Sequence, residues 1–266
     1  MSQQPPVANE ISTAIAELKS ASIFLTRVPA RLIGMDTARV PDFRQAARVF
    51  PVVGALVGLA GGVVLVIAAA LGIPAVIAAA LAIATTVLVT GGLHEDGLAD
   101  AADSFGGATT ERKLEIMDDS RVGTYGAVAL VFSILFRVLA LGAVAAVGSY
   151  RAALVLIAAE AVSRAALVRL WHDLPAARMG GLSNDTGAPD QNAMLVALAV
   201  AAVIAVVCTA PAAGLWATVL AAALAIVATY AMIRLTSRML GGRTGDTLGA
   251  CQQVAVVAFL IGASVI

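Results

Sequence analysis

Three aspartates recur at a spacing that places them on one face of a helix. Residues 91–103 read GGLHEDGLADAAD, in which Asp96, Asp100 and Asp103 are four and three positions apart. At 3.6 residues per turn these side chains share a narrow face, where stacked like charges repel each other. A divalent cation relieves that repulsion, and oxygen ligands favour Mg²⁺, Mn²⁺ or Ca²⁺ over zinc or copper. The spacing therefore predicts a metal site on this helix.

A second acidic stretch follows within the same charged segment. Residues 111–126 read ERKLEIMDDSRVGTYG, in which Glu115 and Asp119 are again four positions apart. If this stretch is helical, the two carboxylates can face the first three and complete a two-metal site. Arg121 and the glycines that follow it suit a turn that contacts phosphate. We therefore expect Glu115 and Asp119 to bind metal, and Arg121 to bind substrate and assist catalysis.

A third polar stretch opens the last apolar run of the chain. Residues 241–249 read GGRTGDTLG, and backbone N–H groups at the start of a helix can meet phosphate oxygens. Thr244, Gly245 and Asp246 are therefore candidate substrate-binding residues. His94 is a candidate general base near neutral pH, although a single histidine at a helix edge can equally be an ordinary polar residue. Together the three stretches predict metal-assisted phosphate or diphosphate chemistry, in which an acceptor hydroxyl attacks.

The composition indicates the kind of protein that must position these residues. The chain is 60% hydrophobic and only 13% charged, with a formal net charge of zero, whereas soluble domains are about 25% charged. A zero net charge does not suggest a nucleic-acid partner, and two cysteines with two histidines argue against a zinc site. The polar N-terminus predicts no cleavable signal peptide. These features are typical of an integral membrane protein.

The apolar residues occur in runs long enough to cross a bilayer, which takes about 20 residues. We predict an all-α, polytopic helical bundle forming a single membrane domain over residues 1–266. The predicted spans are 52–71, 75–93, 127–147, 152–170, 193–210, 214–235 and 251–266. The short links 72–74 and 211–213 each contain a proline and predict tight turns. No proline follows the second span, so its helix is expected to continue through residue 103.

The positions of the cations orient these spans. With residues 1–51 in the cytoplasm, the three loops that carry most of the remaining cations, 94–126, 171–192 and 236–250, also lie inside, as the positive-inside rule requires. The outer loops then carry one charge, Arg151. The acidic cluster is thus predicted at the cytoplasmic edge of the membrane. A transporter usually places its site near the midplane on broken helices, so this position favours an enzyme over a divalent cation transporter.

The first 50 residues differ from the rest. The apolar spacing over residues 10–26 predicts an amphipathic helix on the inner membrane face, with a re-entrant or soluble helix as the alternative. Five arginines follow between residues 27 and 48, beginning with Arg27. They can contact lipid head groups or an anionic substrate, or simply orient the chain in the bilayer.

Some charged residues lie inside predicted spans. Arg137 and Glu160 fall at similar depths in adjacent antiparallel helices, and a buried pair is the least costly way to carry both through lipid. We therefore expect them to pair, with Arg164, one turn from Glu160, as the competing partner.

The motifs also resemble those of a known family. The stretches 91–103, 114–126 (LEIMDDSRVGTYG) and 241–250 (GGRTGDTLGA), together with FLTRVPA at 24–30 and FPVVGALVG at 50–58, resemble the bacterial cobalamin synthases, the adenosylcobinamide-GDP ribazoletransferases. The resemblance covers nearly the whole chain in family order. It implies a Mg²⁺-dependent enzyme of the bacterial cytoplasmic membrane. The implied reaction joins adenosylcobinamide-GDP to α-ribazole or its 5′-phosphate and gives adenosylcobalamin, or its phosphate, and GMP.

The resemblance also assigns residues. Three residues fall on each motif of the family, namely Asp96, Asp100 and Asp103 on the acidic helix, Glu115, Asp119 and Arg121 on the second motif, and Thr244, Gly245 and Asp246 on the third. Glu95 and Asp118 fall where the family pattern tolerates other residues. The family is similar to CDP-alcohol phosphotransferases, but the arginine of their D-G-x-x-A-R helix is missing here, which argues against a CDP-alcohol donor. That enzyme class stays the alternative, and a homo-oligomer is compatible with the sequence.

Overall fold

The computed structural model describes residues 6–34, 42–178 and 187–265, and the side chains from residue 12 onward within them. The helices in chain order are α1 Pro6–Leu25, α2 Phe43–Ala46, α3 Phe50–Ala70, α4 Ala75–Thr90, α5 Leu93–Asp103, α6 Thr110–Met117, α7 Thr124–Val147, α8 Ser149–Asp173, α9 Gln191–Ala213, α10 Leu215–Leu240 and α11 Gly245–Ala263. No strand occurs in these ranges beyond an isolated bridge between Ala176 and Arg243. The prediction of an all-α bundle is confirmed.

Several helices are long and apolar enough to cross a membrane. Five pass on length and composition, namely Phe43–Ala70, α7, α9, α10 and α11, and a sixth is added if α4 and α5 are counted as one broken span. The chain is therefore a multi-pass membrane protein, but the predicted count of seven is not confirmed. Helix α8, which covers the predicted span 152–170, is not among the five, and it carries Glu160, Arg164 and Arg169.

Helix α8 can carry these charges because it lies in the centre of the bundle. Its glycine-lined neighbour α3 approaches it backbone to backbone. A Cβ atom on Gly54 would lie 2.3 Å from the carbonyl oxygen of Glu160, and one on Gly58 would lie 2.7 Å from the Cα of Ile157. Glu160 and Arg164 are almost fully buried and pair with each other. Protein rather than lipid surrounds this helix, so charge within it is tolerated.

The expectation that the second span continues straight through residue 103 is wrong. Helix α4 ends at Thr90, and α5 leaves it at an angle of 89°. Gly91 and Gly92 form the break with φ angles of +66° and +70°, a conformation that costs glycine little and other residues much more. The N–H groups of Gly91 and Gly92 donate to the carbonyls of Leu88 and Val87 at 3.2 and 3.0 Å and so end α4. Helix α5 therefore leaves the line of α4 and packs against α7 and α11, where Glu95 contacts Arg137 and Gln253.

The two predicted tight turns differ in outcome. The link at 72–74 lies between α3 and α4 and contains Gly72 at φ +79°. In contrast, residues 211–213 are helical, because α9 continues through Pro211 to Ala213, and the chain turns at Gly214 with φ +90°. Proline near the end of a helix removes one backbone donor without ending the helix, which is why the turn came later than predicted.

Helix α1 covers most of the predicted amphipathic helix at residues 10–26. The face that it packs against the protein differs from the predicted apolar face. Ala21 and Leu25 are buried, as expected for an apolar stripe, but Glu17 is buried with them. Arg48 donates from Nε and Nη2 to the two carboxylate oxygens of Glu17 at 2.7 and 2.8 Å. Ile15, which belongs to the apolar spacing that predicted this helix, is half exposed. The position of α1 at the membrane interface stays a prediction.

The predicted pair of Arg137 and Glu160 is wrong. Arg137 instead donates to Glu95 at 3.0 Å, and Glu160 pairs with the competing partner, Arg164. The bend at Gly91–Gly92 is the reason, because it turns the first residues of α5 toward α7 and brings Glu95 to Arg137.

Candidate active site

Two glycines hold the acidic helix α5 against the start of α11. A Cβ atom on Gly97 would lie 2.8 Å from the backbone oxygen of Asp246, and one on Gly249 would lie 3.2 Å from the backbone oxygen of His94. Only a residue without a side chain permits such an approach between two backbones. The contact explains why motifs about 150 positions apart in the sequence meet at one site.

Replacing Gly97 with alanine is therefore expected to reduce activity by separating α5 from α11. The added methyl group meets backbone atoms, which cannot turn away as a flexible side chain can, and such overpacking costs about 1–3 kcal/mol. The measurement is thermal unfolding together with turnover of the purified protein. Gly106→Ala is the matched control, because a Cβ there meets no atom within 4 Å. Equal stability and activity in the two variants would show that the close contact does not matter.

A pocket of about 370 Å³ lies beside this contact, and we refer to it as the α5–α11 pocket. Its polar side is formed by His94 and Asp96 of α5 with Gly245 and Asp246 of α11. An apolar part of the lining comes from three other helices, with Ile23, Phe24, Leu25, Phe43, Leu167 and Trp171. Clefts of this size, mostly apolar with a few convergent polar groups, are typical of small-molecule sites.

His94 is the most unusual group in the α5–α11 pocket. Its side chain is only 2% exposed, and neither ring nitrogen has a hydrogen-bond partner among the described residues. Buried polar groups almost always have a partner. His94 thus borders the pocket with both ring nitrogens buried and unpartnered, and its role as a base stays a prediction.

The aspartates of α5 share one helical face, as predicted, and they interact. Burial raises the pKa of Asp100 to about 7, and the nearby carboxylates of Asp96, Asp246 and Asp103 add to the effect. In the ranges that the structure describes, no three acidic, histidine or cysteine side chains converge into a ready-made metal site. Crowded carboxylates nevertheless have the oxygen donors and the mutual repulsion that suit a hard divalent cation. The carboxylates on α5 therefore offer the type of ligand that Mg²⁺ prefers. Their side chains do not converge on one point as they would around a bound ion.

The second motif forms an open cavity of about 460 Å³ at the far end of α5. Asp103 lines it and accepts hydrogen bonds from the N–H groups of Gly123 and Gly126 at 2.7 and 2.9 Å. Glu115 and Asp119 also line it, but each is paired with a cation, Arg112 at 2.9 Å and Arg121 at 2.6 Å respectively. The bond to Arg121 lowers the pKa of Asp119 to about 2. These carboxylates share a cavity with Asp103 rather than with Asp96, and their metal-binding role stays a prediction.

The third motif divides into a structural and an accessible part. Thr244 is buried and caps α11, because its Oγ1 accepts the N–H of Thr247 at 3.2 Å and its own N–H donates to Thr247 Oγ1 at 2.9 Å. This reciprocal cap stabilises the helix start and engages Thr244 in the fold. Gly245 and Asp246 line the α5–α11 pocket instead. Of the three candidates, these two are placed to meet a substrate.

The candidate Arg27 lies beside the pocket rather than in its wall. Its side chain covers Gly91, where a Cβ would lie 2.2 Å from Arg27 Cγ, and its N–H donates to the carbonyl of Val89 at 2.9 Å. Arg178, which follows α8, pairs with Asp118 through bonds of 2.5 and 2.8 Å. That pairing raises the pKa of Arg178, and the charge of Asp246 contributes. A persistent cation therefore lies near Asp246.

Sequence reasoning missed Arg243, although it lies inside the third motif. Its guanidinium donates to the carbonyls of Leu174 and Gly187, at 2.5 and 2.8 Å. Its backbone N–H donates to Pro175 at 2.7 Å. Arg243 thus ties the segment after α8 to the start of α11. The signal that could have identified Arg243 is that it is an arginine among the mostly small residues of the third motif.

Comparison with known proteins decides the family. Residues 17–264 match the family described as cobalamin-5-phosphate synthase. The chain belongs to this family. Curated relatives named adenosylcobinamide-GDP ribazoletransferase include one from Azorhizobium caulinodans, 46% identical over 253 residues, which covers 94% of this chain and 96% of the relative. Another, from Xanthobacter autotrophicus, is 47% identical over 251 residues, which covers 92% of this chain and 94% of the relative.

A third relative with the same name, from Brucella melitensis, is 40% identical over 241 residues, which covers 90% of this chain and 92% of the relative. No solved structure matches the chain significantly. The match to the cobalamin-5-phosphate synthase family includes all three polar motifs, and hence every residue described above on the polar side of the α5–α11 pocket.

Proposed function

We propose that this chain is a Mg²⁺-dependent adenosylcobinamide-GDP ribazoletransferase of the bacterial cytoplasmic membrane. It joins adenosylcobinamide-GDP to α-ribazole or its 5′-phosphate, and it releases GMP and adenosylcobalamin or its phosphate. The observation that carries the proposal is the meeting of Asp96, Asp246 and the unpartnered His94 on one pocket wall. The names of the relatives favour this reaction over the CDP-alcohol alternative.

The metal belongs on the acidic face of α5. Asp96 and Asp100 would hold Mg²⁺ there, and Asp103, Glu115 and Asp119 are the remaining candidate ligands around the neighbouring cavity. When bound, Mg²⁺ neutralises charge on a diphosphate and makes its phosphorus more electrophilic.

The side chains of the pocket have separate tasks in this reaction. A hydroxyl of the ribazole attacks the phosphorus on the corrinoid side of the diphosphate. GMP, which contains the other phosphorus, is the leaving group. The unpartnered imidazole of His94 accepts the proton of that hydroxyl. Exposed backbone at Gly245, in the first turn of α11, receives phosphate oxygens, and Arg121 meets the diphosphate from the open cavity. The apolar part of the lining excludes water, which would otherwise hydrolyse the activated corrinoid.

The cytoplasmic orientation rests on the charges of the loops. Loop cations at the end of the bundle that carries α5 and the start of α11 include Arg112, Arg121 and Arg178. The linker at the other end between α7 and α8 carries no charge, and Arg151 follows it in the first turn of α8. The positive-inside rule places the more cationic end in the cytoplasm.

Turnover in detergent separates this proposal from a cation transporter. Purified protein supplied with Mg²⁺, adenosylcobinamide-GDP and α-ribazole is expected to release GMP and form the joined corrinoid in equal amounts. An enzyme needs no sealed compartment, whereas a transporter shows its activity only across one. Absence of GMP release, together with Mg²⁺ uptake by the same protein in sealed vesicles, would contradict the enzyme proposal and identify the protein as a transporter.

A further inference from the structure

Aromatic rings from three helices line the α5–α11 pocket together with the carboxylates of α5 and α11. Phe24 of α1, Phe43 of α2 and Trp171 of α8 all line it. The centre of the Phe24 ring lies 4.9 Å from that of Phe43 and 5.7 Å from that of Trp171, and the planes of Phe24 and Trp171 differ by only 9°. We refer to these three rings as the aromatic wall.

The aromatic wall is held in place from behind. Phe50 packs on Phe24 with a centroid separation of 5.4 Å and on Trp171 at 6.0 Å. Trp171 is 1% exposed, and its indole N–H donates to the carbonyl of Gly187 at 2.7 Å. Phe24 and Phe43 keep part of their surface exposed. A ligand in the pocket therefore meets rigid ring surface on this side without an indole donor to bond.

We infer that the aromatic wall binds the base of the acceptor, a flat and apolar benzimidazole ring, while its sugar points toward His94 and Asp96. This inference rests on the proposed function and adds the location and orientation of one substrate. The pocket is lined by two unlike sets of side chains, which are the aromatic rings and an unpartnered imidazole with two carboxylates. A benzimidazole nucleoside has the matching two ends, because its base lacks exocyclic polar groups and its ribose carries hydroxyls.

The guanine of the other substrate does not fit the same wall. Guanine carries an amino group, a carbonyl and ring nitrogens, and burying these without hydrogen bonds costs free energy. The apolar lining of Phe24, Leu167 and Leu248 supplies none. Stacking alone does not discriminate between bases. The absence of polar partners on this wall therefore selects benzimidazole over guanine. The whole corrinoid is far larger than a cavity of about 370 Å³.

Fluorescence of Trp171 tests the inference without requiring turnover. The chain has two tryptophans, and Trp216 is 72% exposed on α10, away from the pocket. In the full-length Trp216→Phe protein in detergent, emission therefore reports on Trp171 alone. Benzimidazole and α-ribazole are expected to change this emission saturably, and GMP at the same concentration is not. A saturable change with GMP but none with benzimidazole would overturn the inference.

Kinetics of the wall variants supply the second readout. Phe24→Leu and Phe43→Leu are expected to raise the KM for α-ribazole about tenfold, in keeping with the loss of a base–aromatic stack. The KM for adenosylcobinamide-GDP should stay unchanged. Phe132→Leu is the matched control, because Phe132 also forms a ring pair, with Phe136 at 5.6 Å, but lies exposed on α7 outside the pocket.

The two readouts separate the inference from the function on which it rests. Normal turnover with an unchanged KM for α-ribazole in both folded wall variants would overturn the inference and leave the ribazoletransferase intact. Saturable binding of benzimidazole to a wild-type protein that forms no product would overturn the proposed function, and the aromatic wall would remain a site for a flat apolar heterocycle.

Discussion

Asp96→Asn is expected to abolish ribazole transfer, with a fall in turnover of at least about a thousandfold. The substitution keeps the size of the side chain and removes the negative charge that would bind the cation. Without that cation the diphosphate is no longer held in position. Asp96 is exposed in the pocket wall and makes no ion pair among the described residues, so its loss should leave folding and membrane insertion unchanged. The measurement is GMP release by the purified variant in detergent.

A second aspartate controls for the loss of charge as such. Asp173 pairs with Arg169 at 2.8 Å near the end of α8 and does not line the α5–α11 pocket. Asp173→Asn is therefore expected to retain most activity. Substantial ribazole transfer by purified Asp96→Asn would remove Asp96 from the site and with it the proposed metal face of α5.

Arg137→Met is expected to destabilise the protein by about 3–5 kcal/mol, because it leaves the carboxylate of Glu95 buried without its cation. Arg137 is 1% exposed and Glu95 is 8% exposed. Glu95 Oε1 accepts from Arg137 Nη1 and from Gln253 Nε2, each at 3.0 Å, and Ser133 donates to Gln253 at 2.9 Å. The pair thus joins α5, α7 and α11 directly beneath the pocket. Thermal unfolding in detergent measures the loss.

A double-mutant cycle distinguishes the buried pair from simple loss of packing. Glu95→Gln combined with Arg137→Met removes both charges and should recover most of the stability lost by Arg137→Met alone. Arg112→Met is the control for an exposed pair, since the side chains of Arg112 and Glu115 are 64% and 65% exposed, and it should cost well under 1 kcal/mol. A double variant as unstable as Arg137→Met would contradict the ion-pair explanation.

The sequence identified the local features of this fold and site reliably. Helical spacing placed Asp96, Asp100 and Asp103 on one face, and the apolar runs located the long helices, of which five, or six with the broken pair, are long and apolar enough to cross a membrane. Both depend on periodicity within one element, which a single sequence displays directly. The expected partner of Glu160 was Arg137, which was wrong, and the competing partner Arg164, one turn away on the same helix, is the one that pairs.

Features that depend on the direction of a helix after a turn were not predictable in the same way. Gly91 and Gly92 were compatible with a continuous helix or with a break, and only the left-handed conformation of both makes the 89° bend. That bend decides which residue reaches Arg137. The aromatic wall combines Phe24, Phe43 and Trp171 from three helices, and no spacing in the sequence relates residues so far apart.

Product formation by the wild-type protein with and without metal tests the central claim most directly. Protein stripped with a chelator and supplied with adenosylcobinamide-GDP and α-ribazole is expected to form no product, and added Mg²⁺ should restore one joined corrinoid for each GMP released. Undiminished product formation in excess chelator, or GMP release without a joined corrinoid, would contradict a metal-dependent ribazole transfer at the acidic face of α5.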